Sequence, residues 1–234
     1  HLSSKNTQTS QRFVFDLFAG CGGLSTGLET AGFNPALVCE LDKDAIGSYL
    51  LNRHSILGGQ EFRDAKNLHF NNIDELTTDV IENVKSYLEQ INCGLAFGGE
   101  NGSNLDLICG GPPCQGYSGI GHRRSYGVEK KDLPSNQLYS KMAAFIEQVR
   151  PKIFLFENVK GILSGKWTSE GSKGEIWADV RARFRKIPGY QVRWSLVHAK
   201  DYGVPQNRPR VLLVGIRDDV VLSAGLDVEA SIED

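Results

Sequence analysis

The run Phe13-Val-Phe-Asp-Leu-Phe18 leads straight into Ala19-Gly20-Cys21-Gly22-Gly23, and no other stretch constrains the fold as strongly. A short apolar run has the length of a buried strand, and closely spaced glycines let the backbone turn sharply behind it. A helix is expected to follow over residues 24–31, stopped by Gly32 with Pro35 just beyond. A second strand is expected at 36–40 and a second helix at 42–53, with Asp42 as its N-cap. A third strand is expected just before Asp64.

The alternation continues to the end of the chain. Val80, Ile81, Val84, Leu88 and Ile91 recur at helical spacing, which predicts an amphipathic helix over 79–91. Strands are expected at 105–109, 153–156, 190–197 and 210–216, and helices at 136–149 and 175–185. Residues 68–78, 98–103 and 164–174 read as loops. Such alternation implies an α/β fold, a mainly parallel Rossmann-like sheet with helices on both faces. Ligands bind such sheets beyond the carboxyl ends of the strands, where strand order reverses. Functional residues should therefore stand just after strands.

With 234 residues and 40% hydrophobic content the chain can bury one core. Residues 1–12 read as a polar arm and 13–234 as a single domain. No apolar run approaches a membrane span, and no signal peptide is evident. Five cysteines, odd in number and without a secreted framework's spacing, point to a reducing, intracellular setting. A net charge of −2 argues mildly against a dedicated nucleic-acid binder. Charge is locally positive over 122–131, however, where Arg123, Arg124, Lys130 and Lys131 face Glu129 alone.

Glu40 stands at a strand end about twenty residues after Gly20, where a carboxylate can accept from a ribose diol. The glycine turn alone is compatible with NAD, FAD or S-adenosylmethionine, but Ser25 breaks the G-x-G-x-x-G pattern and disfavours NAD. Asp64 could accept from an adenine amino group, although in isolation it reads as a surface residue.

Gly110-Gly-Pro-Pro-Cys114-Gln-Gly-Tyr-Ser118 follows a buried strand. The prolines stiffen the backbone and the flanking glycines permit hinging, a setting that suits a presented nucleophile. Cys39, Cys93 and Cys109 read instead as small buried hydrophobes. Zinc fails for lack of further ligands near Cys109 and Cys114, so no metal is expected. A papain-like reading of Cys114 lacks its surrounding signature. Glu157 ends another apolar strand, where catalysis and a helix-start or ion-pair role weigh equally. Gln206-Asn-Arg208-Pro-Arg210 brings two guanidinium groups to the start of the last strand.

Taken together, Asp16-Leu-Phe-Ala-Gly-Cys-Gly-Gly-Leu24, Gly111-Pro-Pro-Cys-Gln-Gly-Tyr-Ser118, Glu157-Asn-Val159 and Gln206-Asn-Arg-Pro-Arg210 resemble the DNA cytosine-5 methyltransferase family in order and spacing. The resemblance implies S-adenosylmethionine as cofactor and double-stranded DNA, with a flipped cytosine, as substrate. It implies Cys114 as nucleophile, Glu157 on the base, Arg210 holding the base, and Arg208 supporting the loop or a phosphate. Phe18 would stack on adenine, and Ala19, Gly20, Gly22, Gly23 and Leu24 would surround the methionine part. Glu40 with Leu41 would take the ribose, Asp64 the adenine amine, and Pro112 and Leu138 would line the pocket. Gln115, Ser118, Arg123 and Arg124 would meet DNA. Bacterial cytoplasm, at the nucleoid, is the implied location.

Two departures stand out. The family's target-recognition region and final segment are not seen, which suggests a fragment or one half of a split enzyme that needs a partner chain. The stretch between Asp64 and Asp106 is also longer than the family core needs. Transfer-RNA methyltransferases on the same scaffold typically carry proline where Gly116 stands, which favours DNA. A non-catalytic cofactor-binding subunit is the remaining alternative.

Overall fold

The computed structural model describes residues 11–113 and 137–225. In chain order the strands are β1 (Arg12–Leu17), β2 (Phe33–Cys39), β3 (Ile56–Leu57), β4 (Gln60–Glu61), β5 (His69–Phe70), β6 (Leu107–Gly110), β7 (Ile153–Val159), β8 (Tyr190–His198) and β9 (Pro209–Arg217). The helices are α1 (Gly23–Thr30), α2 (Lys43–Leu51), α3 (Thr78–Gln90), α4 (Leu138–Val149), α5 (Glu175–Arg185) and α6 (Asp218–Ala224). Seven strands form one sheet in the order β5-β2-β1-β6-β7-β9-β8, while β3 and β4 make a separate short ribbon. The pairs from β5 through to β7 are parallel, and β9 pairs antiparallel with both β7 and β8.

Alternation along β1 explains the two layers. Phe13, Phe15 and Leu17 point into the large core, where Phe15 meets Phe145 of α4 at a centroid distance of 6.3 Å. Val14 faces the other way and, with Leu107 and Cys109, is covered by Leu24 and Leu28 of α1. Helices therefore lie against both faces, with α1 over the parallel strands β1 and β6 on one of them. The chain moves outward from β1 through β2 to β5, then returns to place β6 on the other side of β1. The carboxyl ends of β1 and β6 consequently flank a crevice at the point of reversal.

Several expectations need correction. The third sheet strand is β5, which follows Asp64 and lies inside the stretch read as loop; two residues are too few to show a period. Asp64 instead ends a 3₁₀ turn, Phe62–Asp64. Residues 65–105 hold β5 and α3 and form the crossover that leads to β6. Ile81, Val84 and Leu88 of α3 are buried in the core. Arg12 belongs to β1 rather than to an arm, β7 continues past Phe156 to Val159, and α6 had no counterpart in the sequence reading.

Candidate active site

The loop after β1 holds its shape through unusual backbone angles and specific bonds. Phe18 has φ +57°, a left-handed conformation that costs a non-glycine residue of order 1–3 kcal/mol and gathers at functional sites. Ala19 N–H donates to the Cys39 carbonyl at 3.2 Å, tying the loop to the end of β2. Gly20 N–H donates to Glu40 Oε2 at 2.7 Å, and Asp42 N–H donates to Glu40 Oε1 at 2.9 Å. One carboxylate thus joins the glycine loop to the start of α2, which Asp42 itself caps by accepting from Asp44 and Ala45 N–H.

These residues border an open cavity of about 660 Å³ lined by Phe18, Cys39, Glu40, Leu41, Gly111, Pro113 and Leu138, and by Asn71, Asn72, Ile73 and Asp74 after β5. That volume matches a small-molecule pocket. Asp42 and Lys141 complete the wall, and Lys141 is paired with Asp74. Burial pushes the Cys39 thiol up to about 12, with Glu75 and Glu40 adding to the rise, so it stays an unreactive wall.

Some expected site residues lie elsewhere. Asp64 is exposed on its 3₁₀ turn and does not line the cavity; Asn72 and Asp74 stand where it was expected. Pro112 is buried, and its carbonyl accepts from Asn158 Nδ2 at 3.1 Å, which leaves Pro113 on the wall. Leu24 packs under α1 against the sheet, and Ala19 is buried in the core. Gly22 caps α1 with φ +89°, and Gly23 begins the helix. A signal for the missed wall was present in the sequence. Asn72 and Glu75 form a capping box, whose three-residue spacing marks a turn directly after a strand.

On the β6–β7 side, Glu157 Oε1 pairs with Arg210 Nε at 2.5 Å. Opposed registers make this possible: Arg210 lies across from Val159, diagonal to Glu157 on the same face. Burial raises the Glu157 carboxyl above its usual range, while Arg210 and Arg208 hold it down in part. Arg208 itself is exposed. Gly111 allows the close approach here, because a Cβ on it would stand 2.8 Å from Glu157 Oε2. Cys114, Gln115, Ser118, Arg123 and Arg124 lie outside the described residues. Among the described residues no group of His, Cys, Asp and Glu could hold a metal ion, and no helix is long and apolar enough to cross a membrane.

The sequence matches the family of C-5 cytosine-specific DNA methylases over residues 13–83 and 94–232. It is 35% identical to the type II methyltransferase M.DdeI of Desulfomicrobium norvegicum over 206 residues, 88% of this chain and 41% of that protein. Likeness to M.AgeI of Thalassovita gelatinovora is also 35%, over 88% of this chain and 39% of that one. The chain thus spans about two fifths of the length of these relatives. Among solved structures, a prophage-encoded DNA modification methyltransferase of E. coli superposes with a TM-score of 0.63 at 28% identity, over 93% of this chain and 49% of that one. A Spodoptera frugiperda DNMT2 structure shares the fold with a TM-score of 0.57 at 18% identity, over 95% and 53% of the two chains.

Proposed function

Because the chain belongs to the C-5 cytosine-specific DNA methylase family, we propose that it supplies the cofactor pocket and catalytic groups for methylating carbon 5 of cytosine in DNA, as part of a modification methylase. One observation carries the reading. Phe18 and Glu40 on one side and Gly111 and Pro113 on the other converge on a single crevice, and the Glu157–Arg210 pair adjoins Gly111.

The wall chemistry suits S-adenosylmethionine. Phe18, Leu41, Ile73 and Leu138 offer apolar surface for a flat base, and Glu40 retains lone pairs for ribose hydroxyls. Three carboxylates line the cavity (Glu40, Asp42 and Asp74) against one ammonium, Lys141. That balance repels a pyrophosphate and favours a sulfonium cation. When bound, S-adenosylmethionine supplies an electrophilic methyl group.

The remaining work falls to the chain. Carbon 5 of cytosine is a poor nucleophile, so a Cys114 thiolate adds to carbon 6, forming a sulfur–carbon bond and pushing electron density to carbon 5. Glu157, its carboxyl raised by burial, hydrogen-bonds N3 and the exocyclic amine and offsets charge as it builds on the ring. Arg210 orients Glu157 and holds the base. After methylation, loss of the carbon-5 proton to water restores the ring double bond and expels the Cys114 thiolate. Arg208, Gln115, Ser118, Arg123 and Arg124 would contact the DNA around the flipped base.

The test uses DNA carrying 5-fluorocytosine, whose carbon 5 has no proton to lose. In the presence of S-adenosylmethionine the protein should be trapped covalently through Cys114. Cys114→Ser should form no adduct while binding the cofactor with unchanged affinity. An adduct with Cys114→Ser would overturn the mechanism, and calorimetric preference for NAD would overturn the cofactor.

A further inference from the structure

Arg53 is 2% exposed, just past the end of α2 and beneath the glycine loop. Burying a guanidinium is costly unless every donor finds a partner. Here two of the three nitrogens donate hydrogen bonds, and the third lies against a carboxylate without a well-aligned bond. Nε pairs with Glu29 Oε1 of α1 at 2.7 Å, Nη1 donates to the Tyr49 carbonyl of α2 at 2.8 Å, and Nη2 donates to the Gly22 carbonyl at 3.1 Å. The plane also lies over the Tyr49 ring, 3.5 Å from its centroid. Tyr49 Oη in turn meets Ser25 Oγ at 3.0 Å, and Ser25 Oγ donates to Asp16 of β1.

Two attachments therefore fasten α2 to the glycine loop. At its amino end Glu40 accepts from Gly20 N–H; at its carboxyl end Arg53 grips the Gly22 carbonyl. The fit at Gly22 is tight, because a Cβ there would come within 2.5 Å of Arg53 Nη2. Arg217, also buried, bonds the carbonyls of Ser103 and Arg150 at the opposite end of the sheet and plays no part in this arrangement.

We propose that Arg53 is a positioning residue, which fixes the glycine loop against α2 and so presets the cofactor pocket without touching the cofactor. The proposal rests on the cofactor reading above. Preordering the loop removes an entropic cost from binding. Lysine cannot replace Arg53, because an ammonium lacks the planar fork needed to reach Gly22, Tyr49 and Glu29 together.

The experiment measures amide hydrogen exchange of the cofactor-free chain, and S-adenosylmethionine affinity by calorimetry, for wild type, Arg53→Met, Arg53→Lys and Glu29→Gln. Arg53→Met should speed exchange across residues 18–25 and raise Kd by roughly tenfold or more, as expected for lost hydrogen bonds to a charged group. Exchange in α5 should not change. Arg53→Lys should recover only part of the loss. Glu29→Gln, whose partly exposed side chain makes it the milder change, should move both readouts the same way by less. Unchanged loop exchange in Arg53→Met, or in Glu29→Gln should the methionine variant fail to fold, overturns the proposal. So does faster exchange everywhere, which would mark a purely structural role. If wild type binds no S-adenosylmethionine, the functional reading fails, yet the exchange data still decide whether Arg53 holds the loop.

Discussion

Asp16 lies out of solvent on the α1 face of β1, accepting hydrogen bonds from Ser25 Oγ and, at 3.5 Å, from Cys109 Sγ. Burial lifts its carboxyl from 3.8 to about 6, against the lowering effects of Ser25, Cys109 and Arg53. The folded chain thus holds this proton more tightly than the unfolded one. Stability from Asp16 is greatest below about pH 4, falls as pH rises toward 6, and then levels off, by roughly 3 kcal/mol in all. Asp16→Asn should remove that decline, so urea midpoints of wild type and variant should converge toward low pH and separate above pH 6. Parallel curves across the range would show that folding leaves the Asp16 carboxyl unshifted. The same scale explains which site residues the sequence disclosed. Glu40 was legible because a carboxylate at a strand end has few other uses at that spacing. Asn72 was hidden behind a strand too short to see, and Arg53 looked like any basic residue near a helix end. Its burial depends on Glu29, Tyr49 and Gly22, which only the fold brings together.

At the scale of elements, periodicity served long segments and failed short ones. The apolar stripe of α3 was plain, and the helix begins at Thr78 with Thr77 as N-cap, within a residue of expectation. What periodicity could not show was its destination, so the surrounding stretch seemed superfluous. In the structure α3 covers the large-core face, where Ile81 and Val84 lie near Phe15 and Leu37. The same crossover carries Asn71 to Asp74 to the cavity wall, and seating α3 therefore helps to shape the pocket. Leu88→Ala should cost about 2–5 kcal/mol, the range for a fully buried leucine whose site relaxes only in part. Thermal or urea unfolding measures this directly. A loss below about 1 kcal/mol would mean that α3 is loosely held and contributes little to the core.

Across the whole molecule the two faces of the sheet are unequally covered. On one side Phe154 and Phe156 of β7 and Val211 and Leu213 of β9 are fully buried, with Phe184 of α5 stacked on Phe154 at 5.5 Å. On the other, α1 covers Val14, Leu107 and Cys109, but Ile153, Leu155, Leu212, Val214 and Ile216 remain half-buried. Among the described residues the alternation in β7 and β9 is therefore that of strands with one face only half-covered, although five strands of this sheet run parallel and such sheets are ordinarily covered on both sides. Neighbouring residues of β9 give a direct comparison. Leu213→Asp places a carboxylate in the aromatic core without a partner, a cost of several kcal/mol that approaches the whole stability of a domain. Val214→Asp faces outward beside Leu155 and Arg193, its register partners, so the new charge keeps water and gains a guanidinium neighbour. The first should fail to fold. The second should lose no more than about 1–2 kcal/mol in urea unfolding. Equal losses would show that this face is as deeply buried in solution as the face beneath α5.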